Sequence, residues 1–226
     1  MPGSRREPLS RHRSAVAAAM SASAVVPQFP LYSDVDASAI EAVRRDFPFT
    51  YTDVIIGACA AALRRHPDLN AAFDDDAVVY FDDINIGLVV EAKGELIVVV
   101  IRSTDALSLA DLAAERLRLT SAANEGRLRG DDVFGATFVI SNLGPAGVSR
   151  FQALLFPPAA AILAVGAAGD RPVVADGRLV VRRGFTLCLT CDHRVLGGLT
   201  GAAFLRAVVE LLNDRPWLES IVNREG

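Results

Sequence analysis

Five segments of the chain are predicted to be helices, and in the third and fourth of them the apolar residues recur at the spacing of one helix face. Ser10 is a residue type that caps helices, and it precedes the first of these segments. Gly126 follows the fourth, where a helix commonly ends. The predicted helices span residues 10–24, 37–45, 52–66, 108–124 and 197–212.

Short apolar runs between these helices predict strands at residues 78–81, 84–90, 95–101, 136–141, 159–168, 173–174, 178–181 and 185–191. Lys93-Gly94 and Asp176-Gly177 are turn sequences and predict two hairpins. The hairpin over residues 84–101 is almost continuously apolar, so we expect both of its faces to be buried. The alternation of predicted helices and strands along the chain predicts an α/β fold with helices packed on a mixed sheet.

Composition narrows the class of protein. The 226 residues suffice for one sizeable domain, which we assign to residues 9–226, with residues 1–8 disordered. A net charge of −4 argues against a nucleic-acid or anionic-membrane partner. No apolar run is long enough to span a membrane. The stretch 14–26 lacks the apolar centre of a signal peptide, so we expect a cytoplasmic protein.

Two clusters have the residue types of a metal site without its geometry. Cys188 and Cys191 form a Cys-x-x-Cys, but they lie on a predicted strand, and a spacing of three places them on opposite faces. The acids at 74–76 sit between predicted elements, where a solvated turn is the commoner explanation. We therefore predict no metal.

One of the three histidines stands out as a candidate for chemistry. His12 lies on a predicted helix and His66 at a helix end, positions typical of structural or solvated residues. His193 follows the strand at 185–191 and precedes a glycine pair. The end of a strand that leads into a tight turn is where side chains are presented to a site. A hydrogen-bonded surface histidine remains the alternative interpretation.

The segment 192–198 reads Asp-His-Arg-Val-Leu-Gly-Gly and resembles the Asp-His-Arg-x-x-Asp-Gly signature of the dihydrolipoamide acyltransferases. These enzymes form the cores of 2-oxoacid dehydrogenase complexes and share their fold with chloramphenicol acetyltransferases. Residues 83–90, 137–144 and 157–166 also resemble family segments, in the same order. The resemblance covers about residues 8–215 and implies a chloramphenicol acetyltransferase-like fold and a homotrimer.

The resemblance also implies a mechanism. Acyl transfer from a thioester needs a base for the acceptor, and imidazole, with a pKa of about 6.5, suits that role at neutral pH. The family pairs this histidine, here His193, with a hydroxyl donor for the oxyanion, here Ser141. The two would meet across the interface between neighbouring subunits. Asp192, Arg194, Asn142 and Arg11 are expected to support the site.

Two features depart from the family. Gly197 stands where the family has Asp or Asn, a side chain that pairs with an arginine of the first helix, here Arg11 or Arg13. The segment 45–51 is shorter than in typical members. The lipoyl and peripheral-subunit-binding domains of complex-forming members are absent from these residues, and the end of the chain is polar. We therefore expect a free trimer with an altered site.

These features favour a stand-alone acyltransferase. We expect it to move an acyl group, taken as acetyl, from acyl-CoA or a carrier-protein thioester to a small-molecule hydroxyl. A tetronate in antibiotic biosynthesis is one such acceptor. The co-substrate would be acyl-CoA, with no metal and no lipoate bound to this chain, and the partners would be the acceptor and an acyl carrier protein. The alternatives are a core subunit of a 2-oxoacid dehydrogenase complex and a non-catalytic assembly homologue.

Overall fold

The computed structural model describes residue 3 and residues 5–44, 49–175 and 177–222. Its helices are α1 (Arg11–Ala24), α2 (Ser38–Arg44), α3 (Tyr51–Arg65), α4 (Leu109–Glu125), α5 (Gly198–Asn213) and α6 (Arg215–Val222). Its strands are β1 (Gln28–Asp36), β2 (Ala71–Asp74), β3 (Ala77–Tyr80), β4 (Ile86–Ala92), β5 (Glu95–Ile101), β6 (Phe138–Asn142), β7 (Ala161–Val165), β8 (Gly169–Ala175) and β9 (Arg178–Asp192).

Local sequence explains where the helices start and stop. Ser10 caps α1 by accepting a hydrogen bond from the backbone N–H of Arg13, as predicted. Thr50 and Asp53 form a capping box at the start of α3. Gly126 ends α4 with a φ of 75°, a left-handed conformation that costs glycine little. These boundaries lie within a few residues of those predicted.

A mixed sheet of seven strands forms the centre, in the order β1-β9-β7-β6-β4-β5, with β8 added along the first half of β9. β4, β6 and β7 run parallel to one another, while the remaining pairs are antiparallel. β2 and β3 form a separate hairpin, which a bridge between Ala72 and Ala159 attaches to the sheet. The predicted mixed α/β architecture is confirmed.

The two faces of the sheet are covered differently. Helices α2 to α6 pack on one face and form the larger core, which contains Phe138, Leu189 and Phe204. The other face carries a smaller core that includes Val139 and Cys188, covered by the irregular segment 151–159, with α1 beside it at the β5 edge. The second face therefore has less helical cover than the first.

Two expectations need correction, and two elements had not been predicted. The hairpin β4–β5 is not buried on both faces, because β5 is an edge strand and Leu96 is 55% exposed. The predicted strands 178–181 and 185–191 are one strand, β9. The strand β2 and the helix α6 were not predicted.

Several predictions fall outside the described residues. Of the segment 1–8 predicted to be disordered, residues 1, 2 and 4 lie outside, and residues 5–8 belong to no helix or strand. Residues 45–48 of the shortened segment, Asp176 of the predicted turn and residues 223–226 also lie outside. Within the described residues, no helix is both long and apolar enough to cross a membrane.

Candidate active site

His193 lies in the turn that follows β9. Its backbone N–H donates to the carbonyl oxygen of Pro27 at 2.8 Å, and its ring lies 4.6 Å from the ring of Phe29, measured between centroids. The side chain is exposed, and neither ring nitrogen has a hydrogen-bond partner within the described residues. The backbone is thus fixed while the imidazole nitrogens stay free, which is the condition a general base requires.

The neighbouring residues Asp192 and Arg194 pair with each other rather than with His193. The buried Asp192 carboxylate accepts hydrogen bonds from the Arg194 backbone N–H at 2.9 Å, from Nε at 3.0 Å and from Nη2 at 2.6 Å. This charge-assisted pair raises the pKa of Arg194. The three bonds close the turn around His193 and hold its backbone in place.

Phe73 of β2 is a residue of this region that the sequence did not reveal. The Arg194 guanidinium carbon lies 4.2 Å from the centre of the Phe73 ring, in cation–π geometry. The hairpin that carries Phe73 is joined to the turn through backbone bonds, from Ala160 N–H to Ala71 and from Asp192 N–H to Ala160. The apolar residues just before the acidic turn at 74–76 were the available signal for this strand.

Ser141 lies near the end of β6, on the sheet face with the smaller core. It follows Val139 by two residues, so the two side chains share that face. Ser141 is buried, yet its hydroxyl makes no hydrogen bond within the described part of the chain. A hydroxyl held on a rigid strand without an internal partner is available to donate to a ligand.

Asn142 fixes the end of β6 beside Ser141. Its side-chain Nδ2 donates to Thr52 Oγ1 at 3.0 Å, and its Oδ1 accepts from the Gly144 N–H at 2.8 Å. Thr52 lies in the first turn of α3, which is anchored by the ion pair between the fully buried Asp53 and Arg116 of α4. Asn142 is thus hydrogen-bonded to the first turn of α3, a contact that the sequence pattern did not predict.

The structure does not bring Ser141 and His193 together within one chain. Ser141 pairs in register with Ala164 of the neighbouring strand β7, and Ala164 pairs in register with Cys188 of β9. From Cys188 the strand continues four residues to Asp192, about 13 Å at ~3.3 Å per residue, away from Ser141. A site that uses both residues must therefore draw them from two copies of the chain.

Gly197 occupies the N-cap position of α5. Its backbone is extended, with φ −84° and ψ 159°, and a Cβ added there would meet no atom within 4 Å. The helix start has no side-chain cap at this position. The site therefore has open space four residues after His193, where the family was expected to have a carboxylate or an amide.

Substituting Gly197→Asn is expected to stabilise the protein by a few tenths of a kcal/mol, because asparagine caps helices better than glycine. The extended backbone and the open space admit the side chain without strain. Urea unfolding midpoints measure the change, with Gly197→Ala as the control that adds a Cβ but no acceptor. An asparagine variant no more stable than the alanine variant would contradict the capping role.

The other candidates from the sequence lie elsewhere. Arg11 is the first residue of α1, and its side chain is not among those that the structure describes. Arg13 is exposed. A ring nitrogen of His12 bonds the Leu96 carbonyl at 2.7 Å, and the His66 ring lies edge-on to that of Phe204. These contacts fit the structural roles predicted for His12 and His66.

The cysteines are buried within separate parts of the core. Cys188 belongs to the smaller core and Cys191 to the larger one, which confirms that they face opposite sides of β9. Burial raises the pKa of the Cys191 thiol to about 12 and also raises that of Cys188. Among the described residues, no three His, Cys, Asp or Glu side chains cluster as metal ligands would.

Comparison with known proteins gives a consistent set of matches. The catalytic-domain model of the 2-oxoacid dehydrogenase acyltransferases matches residues 1–218. A dihydrolipoyllysine-residue acetyltransferase component of the pyruvate dehydrogenase complex of Zymomonas mobilis is 34% identical over 196 residues, 83% of this chain and 44% of that protein. The chain spans about half the length, or less, of the curated relatives that it matches.

Solved structures agree with the sequence matches. A probable dihydrolipoamide acetyltransferase from Listeria monocytogenes has a TM-score of 0.89 at 31% identity, over 100% of this chain and 99% of that one. A chloramphenicol acetyltransferase has a TM-score of 0.56 at 16% identity, over 83% and 89% of the chains. The latter is a likeness of fold alone, and it confirms the predicted fold class.

One further structure concerns catalytic residues. The dihydrolipoamide acetyltransferase of Azotobacter vinelandii has a TM-score of 0.89 at 30% identity, over 96% of this chain and 93% of that one. It was studied for the roles of a serine, a histidine and an asparagine in its catalytic mechanism. In that enzyme the serine precedes the histidine by 52 positions, and the asparagine follows the histidine by four.

Proposed function

The chain belongs to the acyltransferase family of the 2-oxoacid dehydrogenases, and from this membership we propose that it transfers acyl groups between thiols, with His193 as general base and Ser141 as oxyanion donor. The spacing of these residues carries the proposal. Ser141 precedes His193 by 52 positions, the same separation as the serine and histidine of the Azotobacter vinelandii enzyme. A free imidazole and an unpartnered hydroxyl at these two positions suit the roles.

The chemistry follows from the two side chains. A neutral His193 nitrogen accepts the proton of the acceptor thiol, and the thiolate attacks the carbonyl carbon of the thioester. The tetrahedral intermediate carries a negative oxygen, to which the Ser141 hydroxyl donates a hydrogen bond. The intermediate collapses by breaking the original carbon–sulfur bond, and the departing thiolate takes the proton from the imidazolium. Both residues end the cycle unchanged.

We propose that the active unit is a homotrimer of the catalytic domain at residues 9–226, with sites between neighbouring subunits. The positions of Ser141 and His193 at separate parts of their own sheet support this arrangement, because one chain cannot close the site. Symmetric closed assemblies provide equivalent interfaces for every subunit. Sedimentation would measure the assembly, and a purely monomeric yet fully active protein would contradict it.

The acceptor that we propose is the thiol of a dihydrolipoyl group, with CoA as the other thiol. This is the reading that the sequence kept as an alternative, and the matches with dihydrolipoyllysine-residue acetyltransferases favour it over a small-molecule hydroxyl. Nothing among the matches supports a tetronate acceptor. One observation keeps hydroxyl acceptors as a second candidate. Gly197 leaves open space where the Azotobacter vinelandii enzyme has its asparagine.

The test is a direct assay of transfer. Acetyl-CoA is incubated with the protein and either dihydrolipoamide or a panel of small hydroxyl compounds that includes a tetronate, and the release of free CoA is followed. Faster release with dihydrolipoamide is the expected result. Faster release with a hydroxyl compound would select the second candidate, and no release with any acceptor would favour the non-catalytic assembly homologue.

Phe73→Leu is expected to lower the transfer rate about twofold to fivefold, since a cation–π contact of an exposed side chain is worth about 0.5–1 kcal/mol and Arg194 orients the turn of His193. Phe73→Tyr keeps an aromatic face and should restore the rate. Steady-state kinetics measure the change, which we expect in kcat rather than in KM. Equal rates for the leucine and tyrosine variants would contradict the positioning role of the ring.

A further inference from the structure

A cavity of about 490 Å³ lies between α1 and β5, beside the segments 133–136 and 156–158. Its walls are mainly apolar and include Val16 of α1, Val98 of β5, Phe134, Val139 of β6 and Phe156. Neither the base nor the oxyanion donor of the proposed reaction lines it. An apolar cavity of this size is a candidate ligand site by volume and by composition.

The polar content of the cavity limits what it can hold. Among the described residues that line it, His12 alone is titratable. One of its ring nitrogens is already engaged with the Leu96 carbonyl at 2.7 Å. A charged ligand group would lose its hydration here and gain at most the second ring nitrogen of His12 as a partner, whereas a hydrocarbon chain has no hydration of this kind to lose. The apolar lining of the cavity therefore favours a hydrocarbon chain over a charged group as its ligand.

The location connects this cavity with the proposed site. Val139 precedes Ser141 by two residues on the same face of β6, which separates them by about 7 Å. Ser141 is also level with Val89 of β4, and Val89 is level with Val98 of β5, whose side chain lines the cavity. One wall of the cavity is thus part of the same sheet surface as the hydroxyl that would hold the thioester oxygen.

We propose that this cavity takes the hydrocarbon chain of the acyl group, so that the enzyme prefers medium-length acyl thioesters to acetyl thioesters. The inference rests on the proposed function of Ser141, and it replaces the acetyl group expected from the sequence. A thioester whose carbonyl oxygen bonds Ser141 would lie about 7 Å from Val139 along β6, so that a chain turned toward Val139 would reach the cavity. Each methylene moved from water into an apolar cavity favours the complex by about fourfold. The four extra methylenes of a hexanoyl group therefore favour it by up to about 200-fold.

Kinetics with acetyl-CoA and hexanoyl-CoA, with dihydrolipoamide as acceptor, test the preference. Val16→Trp and Val98→Trp each fill the cavity from a different element, while Ala17→Trp places the same side chain on the exposed side of α1. Wild-type protein and the Ala17 variant should prefer hexanoyl-CoA. Either cavity variant should lose at least about tenfold in kcat/KM for hexanoyl-CoA and less than about threefold for acetyl-CoA.

A binding measurement separates this inference from the proposed function. Calorimetry with the His193→Ala variant, which should not consume the thioester, compares hexanoyl-CoA with acetyl-CoA, alone and combined with Val16→Trp. Tighter hexanoyl binding that the tryptophan abolishes supports the cavity, even if no transfer is ever detected. Equal binding of the two thioesters, or a hexanoyl preference that survives Val16→Trp, would overturn it even if acetyl transfer is fast.

Discussion

Replacing His193 with alanine is expected to lower acyl transfer by about 10²–10⁴-fold, because a general base contributes that much to the rate. The turn would keep its shape, since the backbone N–H bond to Pro27 and the pairing of Asp192 with Arg194 do not use the imidazole. Release of CoA from acyl-CoA in the presence of dihydrolipoamide measures the loss. We expect the unfolding midpoint to change little.

His66→Gln is the matched control, because it removes another imidazole. His66 lies at the end of α3 and packs against Phe204 of α5. This variant should transfer acyl groups at nearly the wild-type rate. If both histidine variants were equally slow, the loss would reflect stability rather than catalysis. An undiminished rate in His193→Ala would remove the base from the proposed mechanism altogether.

Replacing Ser141 with alanine is expected to cost about 10²–10³-fold in kcat, the usual loss when one oxyanion donor is removed. The substitution removes a hydroxyl that has no internal partner among the described residues, so it leaves no buried group unsatisfied. Ser141→Thr retains the hydroxyl and should recover much of the rate. Ser220→Ala, which removes a surface hydroxyl bonded to the Trp217 carbonyl, is the control.

The two inactive variants together test where the site is built. In a random mixture of His193→Ala and Ser141→Ala subunits, about one quarter of the interfaces of a symmetric ring would combine an intact histidine with an intact serine. Co-expression should therefore restore up to about a quarter of the wild-type activity. No recovery in verified mixed assemblies would place both residues in a single-chain site, against the separation along β9.

Periodic patterns predicted most of the elements, and one failure is instructive. The predicted strands at 178–181 and 185–191 left out residues 182–184, Arg-Arg-Gly, which interrupt the apolar pattern. In the structure Gly184 lies inside β9, where a Cβ would come within 2.6 Å of the Val35 carbonyl oxygen. The glycine is needed for close approach of β1. A contact between residues about 150 positions apart leaves no local pattern.

The residues of the candidate site likewise fall into those that local sequence predicted and those that only tertiary contacts reveal. The Asp-His-Arg segment and the serine strand were identifiable because their motifs are contiguous in the sequence. Phe73 and Thr52 were not, because they reach Arg194 and Asn142 only through tertiary packing. The strand β2 was missed because its sequence, Ala-Ala-Phe-Asp, has one residue of high strand propensity, whereas the equally short β3 contains two valines and a tyrosine.

The burial of the three cysteines has a consequence for an enzyme that handles activated acyl groups. A thioester acylates any accessible thiolate, and a protein with a reactive cysteine beside its substrate would modify itself. Cys188 lies on the same sheet face as Ser141, only two strands away, yet its thiol is buried, as are those of Cys59 and Cys191. Burial raises the pKa of all three thiols, which keeps them in the unreactive protonated form. An enzyme with the proposed function would therefore not acylate its own cysteines.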